Sequence, residues 1–436
     1  MPDENFLTYL DYFLKRILII SPHFPPFNFP DMHRIRMSLP YYKELGWEPV
    51  VMVVDEDYVE GYRDPLLNET IPPDIEIHKV KALPLNITRK IGLGSISIRS
   101  FPYFKKKGNE LLSNRKFDLI FFSTTMFHVC ALGRYWKNKF GVPFIVDFQD
   151  PWRNDFYINN PQAKKPAKFK IAYAIHKRME AYTMPFSDGI MSVSQGYIDT
   201  LVQRYAGLKK APFIVIPFGT SSKDFDLVKQ KNIPPQIINV NSNNINVVYI
   251  GVVTQFFLEL IKAFFIAFKK TINNSKYHFY FIGTNYSAHA TEKSVEILAA
   301  KLNMGKMVTE VPRRIPYFSA IATMMHADIL FIPGSLDTDY NASKVYNNIQ
   351  TGKPIFSIFN ECSLVKKIIE QTDSGIVVGI NVNDNSASLV QKISNKLHDF
   401  AQLHLGTLKT DLTKTESFEA KTMTIKQVNF FDKVIA

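Results

Sequence analysis

In the stretch ASKVYNNIQTGKPIFSIF, residues 342–359, a small polar run leads into Lys344 and then into Val345 and Ile349 at helical spacing. Gly352 suits a left-handed helix end, Pro354 bars continuation, and Ile355, Phe356, Ile358 and Phe359 read as a buried strand. A helix starting here leaves free backbone N–H groups around residues 341–344, with the positive end of its dipole behind them. Ser343 and Lys344 then stand where an anion such as a phosphate is received. A surface helix with a solvated lysine is the plain alternative. Arg313 and Arg314, in VPRRIPY, either line a binding cleft or solvate a loop. DTD at residues 337–339 has the Asp-x-Asp spacing of a metal site, but no such motif is placed as a metal ligand. Cys130 and Cys362 lie far apart, without metal-ligand spacing, and read as buried thiols of a reducing compartment.

The elements that must hold these residues are legible as a pattern. RILIIS is a short β-rich run, a Pro-rich loop follows, MHRIRMSLPYYKEL reads as a helix and WEPVVMVVD as the next strand. FDLIFFST, VPFIVDF and FIVIPF are further strands with helical stretches between them. After an Asn-rich stretch at 231–246 the alternation restarts with VVYIGVV, YHFYFIG, DILFIPG and SGIVVGI. Apolar strands alternating with helices predict an α/β protein of two doubly wound Rossmann-like domains, each a parallel sheet covered on both faces. A chain of 436 residues also exceeds what one core usually serves. Two such domains facing a cleft place a nucleotide-sized ligand at the carboxyl ends of the strands.

Hydrophobic residues make up 46% of the chain and charged residues 21%, as in ordinary globular proteins. No run reaches the roughly 18 uncharged apolar residues of a membrane span, and the opening MPDENF is acidic, so a cytoplasmic protein is expected. The net charge of +12 is uneven: residues 89–178 carry eighteen Lys and Arg against five Asp and Glu. Such a surplus suits a phosphorylated small molecule or an anionic membrane surface, or simply a solvated basic face. Nucleic acid is disfavoured, since no zinc-finger, helix-turn-helix or RNP pattern accompanies the charge.

Several stretches, in order, resemble the GT-B nucleotide-sugar glycosyltransferases of the retaining family 4 (group 1). They are RILIISPHFPP with HRIRMSLPYYKELGWEPVVMV, GVPFIVDFQDPW, SDGIMSVSQGY, VIPFGTSSKDF, VVYIG, FYFIG, HADILFIP, ASKVYNNIQTGKP and SFEAKTMTIKQVNFF. The resemblance implies an acceptor-side domain at 1–218, a nucleotide-sugar domain at 219–415, and a closing segment at 416–436 whose helix crosses back to the first domain. It implies metal-independent transfer of a sugar, with retention, from a nucleotide-sugar donor to a glycan or lipid-linked acceptor in cell-surface polysaccharide synthesis. No cofactor is implied beyond the donor substrate. By position, Asp339 and His128 take the catalytic places. Lys344, Ser343, Asn347, Gly251 and Arg313 lie on the donor side, and Arg34, Arg36 and Asp150 on the acceptor side. Read alone, a histidine such as His128 on a half-apolar helix is more often a packed core residue, and Arg34 and Arg36 read nearly as well as exposed charges of an amphipathic helix.

The chain departs from the family pattern in its loops. Asp339 and Asn347 replace two glutamates, Gln149 replaces an arginine, and the first loop has Phe27 and Phe29 where glycines are usual. The loop after YIG offers no cation before Lys262. A non-catalytic relative that binds a glycan or partner enzyme is therefore an alternative, and a nucleotide-sugar 2-epimerase a further one. The run KIGLGSISIRSFPYFKKK, with Ile91, Leu93, Ile96 and Ile98 alternating, reads as a strand or as a loop dipping into lipid headgroups, with Lys105, Lys106 and Lys107 as a peripheral anchor.

Overall fold

The computed structural model describes residues 14–90, 93–159, 165, 168–272, 274–285, 290–336, 343–403, 406 and 410–436. It divides into two compact units. One comprises the chain up to Pro217 together with Lys421–Ala436, and the other Phe218–Ala420.

The first unit is built on seven parallel strands: β1 (Lys15–Ile20), β2 (Trp47–Val54), β3 (Glu76–Val80), β4 (Leu119–Ser123), β5 (Phe144–Phe148), β6 (Gly189–Ser192) and β7 (Phe213–Val215). Their order is β3-β2-β1-β4-β5-β6-β7. The chain winds one way from β1 and the other way from β4, so the direction switches between these two neighbours. Successive residues of one strand feed opposite cores. Leu18, Ile20, Ile120, Phe122 and Val146 join Phe104 and Trp136 on one face. Ile17, Ile19, Leu119, Phe121 and Ile145 join Tyr42 and Phe431 on the other. Burial on both faces is why these strands read as unbroken apolar runs rather than alternating ones.

Four helices of this unit matter below: α1 (His33–Ser38), α2 (Ile96–Asn114), α3 (Ala131–Phe140) and α4 (Phe169–Thr183). Two differ from the sequence expectation. The helix expected over MHRIRMSLPYYKEL is α1 followed by 3-10 turns at Leu39–Tyr41 and Lys43–Leu45, because Pro40 has no N–H to continue the ladder. The segment expected as strand or headgroup loop is helical from Ile96 on, as α2, with Leu93 exposed before it; Ile96, Ser100, Phe104 and Leu111 recur along one buried face. Ile91 lies outside the described residues. Gly108 lets α2 meet α3, since a Cβ there would collide with the Trp136 indole.

The second unit has six parallel strands: β8 (Ile245–Ile250), β9 (Tyr277–Ile282), β10 (Val308–Val311), β11 (Ile329–Pro333), β12 (Ile355–Asn360) and β13 (Gly375–Ile380). Their order, β10-β9-β8-β11-β12-β13, switches between β8 and β11. Phe264, on helix α5 (Gln255–Thr271), lies 4.7 Å from Phe331 and 5.7 Å from Phe356, ring to ring, and anchors an aromatic core. The short helix α6 (Lys344–Gln350) precedes β12. The closing helix α7 (Ala420–Ile435) belongs to the first unit, where Phe431 meets Trp47 and Phe121. Cys130 is buried, but Cys362 is exposed: it sits on the turn after β12, its N–H donating to Asn360 Oδ1. Among the described residues no helix is long and apolar enough to cross a membrane.

Candidate functional site

Open parallel sheets bind ligands beyond the carboxyl ends of their strands, at the point where strand order switches. In the second unit that point follows β8, where Gly251 turns the chain. A Cβ there would stand 2.7 Å from Lys344 Nζ and 2.5 Å from the Tyr249 hydroxyl, so the missing side chain is what admits the ammonium. Lys344 keeps solvent contact as a residue, yet its charged end is crowded by protein. Loss of water, then the nearby Arg314 guanidinium, hold its pKa down to about 8. No carboxylate among the described residues pairs with it. Two cations brought together in this way make a place where an anion is favoured.

The other donor-side residues are less uniform. Ser343 is exposed and makes no side-chain cap to α6, which is only seven residues long. Anion reception here therefore rests on side-chain cations. Arg313 is exposed, and it is its neighbour Arg314 whose charge acts on Lys344. Both ends of the Asn347 amide are taken: Oδ1 accepts from Thr220 Oγ1 at 2.9 Å and Nδ2 donates to the Tyr317 hydroxyl at 3.4 Å. Asp339, with the rest of DTD, lies outside the described residues.

In the first unit the switch falls between β1 and β4. Asp31, in the loop after β1, ties the two sides together. Its Oδ1 lies 3.0 Å from His23 Nδ1, and its Oδ2 accepts from Thr124 Oγ1 at 2.9 Å and from Thr125 N at 3.1 Å. Burial raises its pKa, but His23 and these donors outweigh burial and leave the carboxyl below the usual range. Phe29 stacks on the His23 ring at 3.8 Å, so the bulky loop residue serves to hold the imidazole. Asp150, just past β5, has solvent on its outer side while protein surrounds the rest. Desolvation and then the Asp31 charge push it up to about 6.

Arg34 and Arg36 are not surface charges; both are buried. Arg34 Nε is 2.9 Å from Asp147 Oδ2, and its Nη2 donates to the Ile216 carbonyl at 2.8 Å. Gln149, where the family pattern has arginine, donates to Asp147 Oδ2 and to the Asp31 carbonyl, each at 3.1 Å. Burial raises the pKa of Asp147 against the pull of Arg34. Arg36 donates to His33 Nδ1 and Thr70 Oγ1. His128, in the turn after β4, has its Nδ1 2.8 Å from Ser97 Oγ and its ring 4.8 Å from that of His176 on α4. Desolvation, then His176, lower its pKa to about 4, so it is neutral at physiological pH.

The structure thus brings Gly251 and Lys344 together, and separately gathers Asp31, Asp150 and His23. His176, Arg314 as partner of Lys344, and the His23–Asp31 pair carry no weight in the sequence reading. For His23 a signal existed, since it stands three residues past the first strand. Among the described residues no cluster of three or more His, Cys, Asp or Glu could hold a metal.

No family model and no curated protein matches this sequence. Solved structures do. A sucrose-phosphate synthase from Thermosynechococcus elongatus aligns with a TM-score of 0.62 at 14% identity, over 96% of this chain and 98% of its own. A UDP-forming α,α-trehalose-phosphate synthase from Burkholderia xenovorans gives 0.63 at 10%, over 97% and 100%. A glycosyltransferase from Rickettsia africae gives 0.57 at 14%, over 97% and 98%. Over 96–97% of its length, then, this chain aligns with proteins of the GT-B fold, and like them it is built of two Rossmann-like units.

Proposed function

We propose that this protein transfers a sugar from a nucleotide-diphosphate donor to a hydroxyl acceptor. The observation that carries this reading is Lys344, its ammonium desolvated against Gly251 at the switch point of the second sheet, with Arg314 beside it. Charge accumulates on the leaving diphosphate as the sugar departs, so fixed cations there stabilise the transition state more than the bound donor. The charge requirement is met by side chains, so the reading needs no metal. The sucrose-phosphate synthase and the UDP-forming α,α-trehalose-phosphate synthase of the same fold support the substrate class.

The motif order favours a glycan or lipid-linked acceptor in polysaccharide synthesis, and retention as the stereochemical expectation. The basic stretch 89–178 favours attachment to an anionic membrane face. One observation favours the non-catalytic alternative: the Asn347 amide, expected on the donor ribose, is held by Thr220 and Tyr317. The test is a thermal-shift panel of UDP, GDP, ADP and their sugar conjugates. At a hundred times its dissociation constant a true ligand adds about 2.7 kcal/mol of stability. The donor reading predicts a shift with one base that Lys344→Met reduces. No shift with any nucleotide overturns it. Binding without release of nucleotide from the sugar conjugate selects the non-catalytic alternative.

A further inference from the structure

Lys344 ends where the described residues supply no charge of the opposite sign, although the residue itself is exposed. A Cβ on Gly251 would stand 2.7 Å from its Nζ and 2.5 Å from the Tyr249 hydroxyl. The nitrogen and the hydroxyl therefore border one gap beside bare backbone. Among the described residues no hydrogen bond or ion pair holds Nζ. The Tyr249 hydroxyl donates to the Val252 carbonyl at 2.9 Å, so towards the gap its oxygen is an acceptor. The one charge acting on Lys344 is the Arg314 guanidinium, from the loop after β10, and it repels. A lysine deprived of water beside a second cation gives up its proton readily and is then a nucleophile. With its pKa lowered to about 8, about a fifth of it is free amine at pH 7.4, against about one part in a thousand for an ordinary lysine.

We propose that Lys344 is a modification site for carbon dioxide, taken up as a carbamate that occupies the place of the donor diphosphate. The modification stands on the lysine alone; what it blocks rests on the glycosyl-transfer reading. The lone pair of the neutral Nζ bonds to the carbon of carbon dioxide. One C=O π pair moves onto oxygen, and the nitrogen then gives one proton to solvent. The product is an N-carboxylate, and nothing is oxidised or reduced. The reactant is small and uncharged and sheds no leaving group, so a crowded site admits it. Reversal of sign favours the addition: two cations that repel become an anion beside the Arg314 cation. The carbamate N–H borders the same gap as the Tyr249 oxygen, a donor beside an acceptor. A diphosphate carries charge of the same sign as the carbamate, so carbon dioxide and donor exclude one another.

Trapping tests this on the wild-type protein. In carbon-13 bicarbonate at neutral pH, triethyloxonium ethylates a carbamate and fixes it for peptide mass spectrometry. Lys344 should carry the labelled mark at about tenfold or more the level of the exposed Lys106 in the same digest. Arg314→Gln should lower the mark several-fold, because it returns the proton to Lys344 and removes the counter-charge of the carbamate. Saturating inorganic pyrophosphate, its binding followed by calorimetry, should suppress the mark. No mark on Lys344, a mark no higher than that on Lys106, an undiminished mark in Arg314→Gln, or one that persists under bound pyrophosphate would each overturn the proposal. Failure of the donor reading has a different signature: the carbamate forms, but the protein binds neither pyrophosphate nor any nucleotide. The mark is read without donor, so the two failures are distinguishable.

Discussion

Single residues here owe their chemistry to lost water. Lys344 has its pKa lowered to about 8 by desolvation and Arg314, so its charge is disfavoured until an anion arrives. Nucleotide-diphosphate binding should therefore take up a proton near pH 8 and weaken as the pH rises above it. Calorimetric titrations in buffers of different ionisation enthalpy read that proton directly. Lys344→Ala should weaken binding by about 1.5–3 kcal/mol, the range for a charged hydrogen bond. Asp150 moves the opposite way, to about 6. Its folded pKa lies above the unfolded value of about 3.9. The folded state thus keeps its proton longer, and stability falls as the pH rises from about 4 to 6. Asp150→Asn removes that loss, so chemical denaturation should find the variant gaining on wild type at neutral pH but not at pH 4.

At the scale of elements, buried pairs hold the strands and helices that present the site. Arg34 on α1 is bound to Asp147 on β5 and to the carbonyl that follows β7. Removing one partner of a buried ion pair leaves the other charged and unpaired. Arg34→Ala should accordingly cost about 3–5 kcal/mol in urea denaturation. The α2–α3 contact depends on Gly108 having no side chain, because the Trp136 ring occupies that space. Gly108→Ala is expected to destabilise by about 1–3 kcal/mol, the range for overpacking, read as a lowered midpoint with unchanged slope. Lys105, Lys106 and Lys107 fall on α2, where Lys107 pairs with Glu110 and Lys105 lies 4.4 Å from the centre of the Tyr135 ring. A helix face presents these charges, not a loop that enters lipid.

For the molecule as a whole, the surplus of eighteen basic against five acidic residues over 89–178 is the feature with the longest reach. Helix α4 and the residue before it carry part of it. Lys168, Lys170, Lys177 and Arg178 are exposed beside Ile171, while its one acid, Glu180, is buried against Arg204. Basic residues near an anionic surface contribute about 1 kcal/mol each. Co-sedimentation with phosphatidylserine vesicles should occur at low salt and vanish at high salt. Replacing Lys105, Lys106 and Lys107 by glutamate should weaken it.

The fold class was legible in the residues because burial on both faces of a parallel sheet leaves an unmistakable mark: RILII, LIFF and FIV are apolar throughout, and helices must cover them. Gly251 and Lys344 were likewise legible as types, a residue without a side chain after a strand and a cation before a helix. Their union was not, since it depends on β8 and β11 lying side by side in the sheet. Arg34 was legible as basic but not as buried, because its partner Asp147 lies on β5, more than a hundred residues on. The bulky Phe29 read as an obstacle until its ring was found on His23. Pattern along a chain reports which face of an element is apolar. It carries no record of which charged groups, distant in sequence, will share a volume from which water is excluded, and that exclusion is what sets the chemistry of Lys344, Asp150 and the His23–Asp31 pair.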